Sequence, residues 1–224
     1  MKRLLEIAKG IEKLILNNLD VKYFIKKENN YYIINFISFT SQIDYTITLL
    51  LKEDKKDYIF CPIQYQINYN SLDNILDKVL VNNKLLPSYE DKDNRWGSFF
   101  VEKQTNLYCS IIDDNVFDIF KEQYLKNILP FFKKWENINV LYEYIKDKTE
   151  EELWDILGQF APMKKATILR LCNDSHYQKY MDNYYEKQKE YFEEDPEDID
   201  NIRYYNAAKE LKEVLDKTEP IYNI

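Results

Sequence analysis

The sequence predicts an α+β fold, in which an antiparallel sheet of about five strands packs against helices and is followed by an all-helical C-terminal extension. Two observations lead to this prediction. Between residues 22 and 112 apolar residues recur mainly at every second position, as in strands with one buried face. Beyond Asp113 they recur at helical spacing. We therefore expect an α+β domain over residues 1–147 and a helical extension over residues 148–224, packed on or beside it.

The elements of the first half follow from these periods. Residues 4–19 place apolar side chains three and four apart, which predicts an amphipathic helix with one apolar stripe. A helix is also predicted at residues 71–85, where the helical period returns. The predicted strands cover residues 22–27, 31–39, 43–51, 59–69, 96–102 and 107–112.

The second half carries helix start and stop signals. Pro130 should kink or reset the helix that begins near residue 116. Thr149 and Glu152 have the spacing of a capping box, which predicts a helix start. Residues 177–192 then predict a helix with bulky, mainly aromatic residues along one side and acidic residues toward the other, and a last helix follows Asp195.

Most of the negative charge lies in the second half of the chain. Residues 1–111 hold 15 Lys/Arg and 14 Asp/Glu, whereas residues 112–224 hold 16 and 25, so the formal charges are +1 and −9. The segment from Asp182 to Asp200 has nine acidic residues against Lys187 and Lys189. Nucleic acid and anionic membranes both select clustered Lys and Arg, so neither is the expected partner. A basic protein partner fits better, and a merely solubilising helix is the alternative.

The chain lacks the features of exported or membrane-spanning proteins, and we expect it in the cytoplasm. Charged residues interrupt the apolar residues of the first helix, unlike a signal peptide. The uncharged stretch at 29–43 is too short to span a bilayer as a helix. Cys61, Cys109 and Cys172 are odd in number and widely spaced, which predicts free thiols in a reducing compartment.

Sequence motifs for catalysis are nearly absent, so we expect no cofactor and no catalytic residues. The chain has three glycines and neither phosphate-binding glycine motif. His176 is the only histidine, which rules out a His-rich zinc site. Cys172 and His176 could pair on one helix face, but Asn173 to Ser175 predict a helix break between them.

One alternative function is a metal-dependent hydrolase or nuclease. Asp44 with Glu53 and Lys55 could hold a divalent cation if the residues lay on adjoining strands. A solvated hairpin turn also explains Glu53 and its charged neighbours. The main prediction therefore contains no metal site.

Motifs between about Val21 and Tyr144 resemble a known family in their order and spacing. They are Tyr31-Tyr32-Ile33-Ile34-Asn35-Phe36, Leu85-Leu86-Pro87, Arg95-Trp96-Gly97, Ile128-Leu129-Pro130-Phe131-Phe132 and Leu141-Tyr142-Glu143-Tyr144. The chain thus resembles the bacterial family of domains of unknown function numbered four thousand three hundred and four. The resemblance implies an α+β protein without an established activity, and some members are suspected immunity proteins encoded beside toxins. It transfers no functional residue.

The combined prediction is a non-enzymatic protein-binding module, an immunity protein that neutralises a basic toxin through an acidic surface. The predicted rim carboxylates are Asp182, Glu186, Glu190, Glu193, Glu194, Asp195, Glu197 and Asp198, and the predicted anchors are Tyr184, Tyr185 and Tyr191. A further alternative is a structural protein that self-associates through Trp135, Trp154 and the C-terminal helices. The oligomeric state is not predicted.

Overall fold

The computed structural model describes residues 2–16, 21–29, 31–39, 42–54, 57–86 and 116–222. Within these ranges the chain forms a four-stranded antiparallel sheet and nine α-helices, and the region from residue 117 to residue 216 is all helical. The predicted α+β class with a helical C-terminal region is confirmed. The sheet has four strands rather than about five, and the strands predicted at 96–102 and 107–112 lie outside the described residues.

The sheet is a meander in which strands adjacent in sequence are adjacent in space. Its strands are β1 (Val21–Glu28), β2 (Tyr31–Phe39), β3 (Ile43–Asp54) and β4 (Asp57–Tyr69), in the order β1-β2-β3-β4. Asn29 adopts a left-handed conformation (φ 52°) in the tight turn between β1 and β2. In the resulting register Ile25 lies opposite Ile34, which lies opposite Leu49. The face that contains Ile34 and Leu49 is buried, as the alternation predicts.

The chain divides into two compact units. Residues 2–68 and 116–136 belong to the first, and residues 69–86 and 137–222 belong to the second. In the first unit the apolar stripe of α1 (Lys2–Leu16) is buried, and α1 contacts β1 and α3 (Val116–Gln123). Aromatic rings join the sheet to α4 (Leu129–Trp135), because Tyr45 packs on Phe132 with ring centroids 4.9 Å apart. Further ring contacts join Tyr65 to the same helix.

A π-helical turn, Tyr124–Ile128, links α3 to α4. Proline lacks the N–H that an α-helix needs, and its ring clashes with the carbonyl four residues earlier. The wider turn lies directly before Pro130, and Leu129 N–H donates to the Tyr124 carbonyl five residues back. The helix therefore continues through Pro130, and the reset predicted there takes the form of a π turn.

Gly10 allows α1 to approach α3 closely. A Cβ atom at this position would lie 2.2 Å from the nearest carbon of the Phe117 ring. Alanine is normally favoured over glycine inside a helix by about 1 kcal/mol. Here we expect Gly10→Ala to lower the free energy of unfolding of the first unit by roughly 1–3 kcal/mol, because the ring must move. Urea denaturation measures this change. The double variant Gly10→Ala/Phe117→Leu should recover the loss, and a stabilising Gly10→Ala alone would contradict the close packing.

The second unit consists of helices from two parts of the chain. They are α2 (Asn70–Asn82), α5 (Ile138–Ile145), α6 (Glu150–Leu157), α7 (Ala161–Leu171), α8 (Tyr177–Glu194) and α9 (Ile199–Asp216). The units thus divide the chain differently from the boundary predicted at residue 147. The α2 helix joins the second unit because Asn82 and Asn83 both donate to Glu210 of α9. The α5 helix joins it because Tyr142 donates to Asp174, which lies between α7 and α8.

The α7 helix is buried almost all around, although it carries three basic residues. Each basic side chain donates to carbonyls at the end of a different helix. Lys164 donates to Leu157, the last residue of α6 (2.6 Å), and Lys165 donates to Lys146 and Lys148 after α5 (3.0 and 3.3 Å). Arg170 donates to Leu215 in the last turn of α9 and to Thr218 beyond it (3.0 and 2.7 Å). The last carbonyls of a helix lack partners within it and carry partial negative charge. One helix therefore caps three others.

None of the described helices combines the length and the apolar character that crossing a bilayer requires.

Candidate functional site

Most of the predicted contact residues lie on a helical hairpin that extends beyond the core of the second unit. The helices α8 and α9 run antiparallel, with Tyr177 bonded to Asp216 and Asp182 paired with Lys212. Met181 is the last buried residue of α8, and Ala207 is the next buried residue along the chain. We name residues 182–206 the arm. Its α8 portion is about 20 Å long at 1.5 Å per residue.

Aromatic contacts between its two helices hold the arm together. Phe192 stacks on Tyr205 with ring centroids 4.9 Å apart and planes 7° apart. The hydroxyls of Tyr185 and Tyr205 are hydrogen-bonded at 3.2 Å. Near the turn, the Asn201 side chain donates to the Tyr191 carbonyl at 3.0 Å. These side chains are half-buried or exposed, so the arm has a small core of its own.

Three of the predicted rim carboxylates stabilise the hairpin itself. Asp182 accepts from Lys212 at 2.8 Å, and this bond lowers the pKa of the carboxyl despite partial burial. Asp198 caps α9 by accepting from the Asp200 and Asn201 amides at 2.7 and 3.2 Å. Asp195 accepts from the Glu197 amide in the turn at 3.3 Å. The structure thus gives each of these residues an internal role.

The remaining rim carboxylates are exposed and have weaker internal contacts or none. Glu186 and Glu193 flank Lys189 at 3.6 and 3.9 Å, which are long distances for exposed ion pairs. Among the described residues, the carboxylates of Glu190, Glu194 and Glu197 have no ion-pair partner. We name residues 190–200 the arm tip. It contains seven acidic residues and no basic one, and all seven are exposed.

The arm tip places negative charge where helix electrostatics disfavours it. Glu193 and Glu194 lie in the last turn of α8, which has no basic residue. The C-terminus of a helix carries partial negative charge, so carboxylates there are destabilising. Glu194 also follows Glu190 by four residues, and like charges at this spacing repel each other. Local stability therefore does not account for these glutamates.

This electrostatic conflict predicts opposite effects for two similar substitutions. We expect Glu194→Lys to raise the free energy of unfolding by roughly 0.3–1 kcal/mol at low ionic strength, because it complements the helix end and pairs with Glu190. Glu197→Lys places the same charge before the positive N-terminus of α9 and should have no effect or lower stability. Thermal unfolding at low and high salt measures both variants. Equal shifts for the two would contradict the prediction.

The three predicted tyrosine anchors lie in different environments. Tyr184 and Tyr185 are half-buried, and burial raises the pKa of Tyr184 while the bond to Tyr205 raises that of Tyr185 to about 12. Both phenols therefore already make contacts within the protein. Tyr191 is 43% exposed, and Ile199 at the start of α9 is 56% exposed. Ile199 is the first residue of α9, before the buried residues Ala207, Ala208, Leu211 and Leu215 of that helix.

The residues proposed for a metal-dependent hydrolase do not converge. Asp44 and Glu53 lie on one strand, β3, rather than on adjoining strands, and Lys55 lies outside the described residues. Nine residues of extended strand span about 30 Å, so positions 44 and 53 cannot share one ion. In the described part of the chain, no three His, Cys, Asp or Glu residues are placed to hold a metal ion.

Cys172 and His176 do not form a catalytic pair. The predicted helix break is present, because α7 ends at Leu171 and α8 begins at Tyr177. The Cys172 thiol is buried and donates to Asn139 at 3.6 Å, and burial raises its pKa to about 12. The imidazole of His176 instead lies 3.0 Å from Asp174 and is exposed. The thiol is therefore structural.

The two tryptophans proposed for self-association belong to different units. Trp135 is 1% exposed and belongs to the core of the first unit, so it offers no surface for a second copy. Trp154 is 49% exposed and lies on α6 in the second unit.

No protein-family model, no curated protein and no solved structure matches this chain. The resemblance to the family of domains of unknown function stays a prediction.

Proposed function

We propose that this protein is a non-enzymatic binding module that uses the arm tip to bind a basic protein. The observation that supports the proposal most strongly is a projecting hairpin end with seven exposed carboxylates and no cation. Two of these carboxylates destabilise the helix that carries them, which is a common sign of selection for function rather than stability. An immunity protein that covers the cationic surface of a toxin in the cytoplasm fits this role.

The arm tip can contribute to binding in two ways. Its dense negative charge attracts a basic partner over several ångströms and accelerates encounter, and this effect weakens as salt screens the charges. Tyr191 and Ile199 then supply apolar contact area between the carboxylates. Exposed aromatic residues surrounded by polar ones are typical of the residues that dominate interface energies.

Affinity capture from the cells that produce the protein tests this proposal. The bait is the full chain, compared with the neutralised variant Glu190→Gln/Glu193→Gln/Glu194→Gln/Glu197→Gln. A matched control neutralises four exposed carboxylates outside the arm: Glu143, Asp147, Glu213 and Glu219. We expect a basic protein to be retained by the wild type and the control but not by the arm variant.

Calorimetry with the purified captured protein completes the test. The expected result is an affinity that falls as salt rises, and falls at least tenfold in the arm variant at low salt. If the two four-residue variants bind alike, or if the captured protein is acidic, the arm tip is only a solubilising surface.

A further inference from the structure

The α6 helix contacts the arm through one ion pair, and an exposed aromatic residue follows each member of this pair by one helical turn. Glu150 of α6 accepts from Lys187 of α8 at 3.4 Å. Lys187 also interacts with the Tyr191 side chain, and Glu150 and Tyr191 together raise the pKa of Lys187. Trp154 follows Glu150 by one helical turn, and Tyr191 follows Lys187 by one turn. Both aromatic residues therefore flank a single interhelical ion pair.

No lysine or arginine lies over the face of either ring in the described part of the chain, although Lys187 interacts with the Tyr191 side chain. Six rings in the described part of the chain carry a lysine or arginine over their face, including the exposed Tyr144, which has Lys148 at 5.8 Å. None of the six is Trp154 or Tyr191, although these rings are 49% and 43% exposed. An exposed tryptophan is the strongest aromatic acceptor for a cation.

The charges around the two rings are mostly negative. Exposed carboxylates lie within one helical turn of each ring: Glu151 and Asp155 near Trp154, and Glu190, Glu194 and Asp195 near Tyr191. The nearby lysines of α8 also face carboxylates, because Lys187 pairs with Glu150, and Lys189 lies between Glu186 and Glu193. Such a field concentrates cations near the rings, and an arginine side chain can stack on a ring while its charge is balanced by a carboxylate.

We propose that Trp154 and Tyr191 form a docking surface for an arginine-rich segment of the partner, which stacks its guanidinium groups on the two rings. This inference rests on the proposed function and makes it more specific. The arm-tip carboxylates supply attraction at a distance, and the rings supply the contacts that distinguish arginine from lysine. The partner is therefore a protein with clustered arginine side chains on an exposed loop or helix.

A peptide titration of the full-length protein tests the surface. The probes are (Arg-Gly)5, (Lys-Gly)5 and (Glu-Gly)5, and the readouts are calorimetry and the amide and indole signals in ¹⁵N NMR spectra. We expect the arginine peptide to bind more tightly than the lysine peptide, to shift the Trp154 indole and residues of α6 and α8, and to leave the first unit unchanged. The Trp154→Leu/Tyr191→Leu variant should bind roughly 25-fold more weakly, at about fivefold per ring.

The controls separate this inference from the proposed function. Trp154→Phe/Tyr191→Phe keeps both rings and should retain most of the affinity, and Tyr144→Leu, whose ring has its own lysine, should bind as the wild type does. If only the arm variant with four neutralised glutamates loses the peptide, the rings play no part and the acidic surface alone binds. Equal binding of the arginine and lysine peptides, or no binding of either, overturns the inference, whereas the capture experiment judges the proposed function independently. NMR spectra of each variant show that it is folded.

Discussion

Between about pH 8 and pH 10.5 the second unit should gain roughly 3 kcal/mol of stability from Lys164 alone. Burial lowers the pKa of this amine to about 8, whereas in the unfolded chain it titrates near its ordinary value of 10.5. The unfolded chain therefore binds more protons than the folded protein in this interval, so stability rises with pH. Below pH 8 both states are protonated, and the folded state bears the full penalty of a buried charge.

Urea denaturation of the wild type and of Lys164→Met, followed by far-UV circular dichroism across this range, isolates the effect. Burial and hydrogen bonds raise the pKa of Tyr142 and Tyr177, so these phenols reduce stability only above about pH 10. Because both proteins contain them, their contribution cancels in the difference. The difference should change by about 3 kcal/mol in favour of the wild type as pH rises. A difference independent of pH would mean that the Lys164 amine titrates normally.

Removing the Phe192–Tyr205 stack should melt the arm without unfolding the rest of the second unit. We expect Phe192→Ala/Tyr205→Ala to remove roughly 3 kcal/mol of contacts between the two helices. The arm has no fully buried residue, and the contacts that remain without these two rings include hydrogen bonds of Asn201 near the turn. Amide hydrogen exchange over residues 185–205 should accelerate about 100-fold. The amides of α7 should keep their protection.

The exposed neighbour Tyr191 supplies the matched control for this experiment. Tyr191→Ala removes an aromatic side chain from the same helix but leaves the stack intact, so exchange in the arm should change little. If the double variant instead accelerates exchange equally in α7 and the arm, the hairpin unfolds together with the core and is not a separate cooperative segment. Hydrogen exchange followed by mass spectrometry resolves these two outcomes peptide by peptide.

Local patterns in the sequence predicted local structure well. The alternation of residues 43–51 identified the buried face of β3, which contains Leu49, because one face of this strand meets the core. The Thr149–Glu152 capping box forms as predicted, with bonds of 2.9 and 3.3 Å, because both partners lie within one turn. In the capping box the interacting residues are three positions apart, so both partners can be recognised in the local sequence.

Features that depend on distant partners could not be predicted in this way. Lys164 and Lys165 resemble a solvated pair, yet both are buried because carbonyls at the ends of α6 and α5 accept hydrogen bonds from their amines. Trp135 and Trp154 have the same apolar side chain, but only Trp135 is buried in a core. For the candidate site, the acidic segment and Tyr191 could be identified from the sequence, whereas the exposure of Ile199 depended on where α9 begins. The internal role of Asp182 depended on the antiparallel pairing of two helices.

The second unit combines α2 with helices that follow the first unit in the sequence, and this order limits when the second unit can assemble during synthesis. The α2 helix is made early, but the apolar face that it buries needs helices that follow more than fifty residues later, and its Asn82 bonds to Glu210, 128 positions away. Arg170 likewise cannot form its hydrogen bond to the Thr218 carbonyl until nearly the whole chain has been made. The first unit ends at residue 136. On the ribosome its residues are therefore complete before α7 and α9, which pack on α2, have been made, and until then the apolar side chains Leu72, Leu76, Val79 and Leu80 are a risk for aggregation.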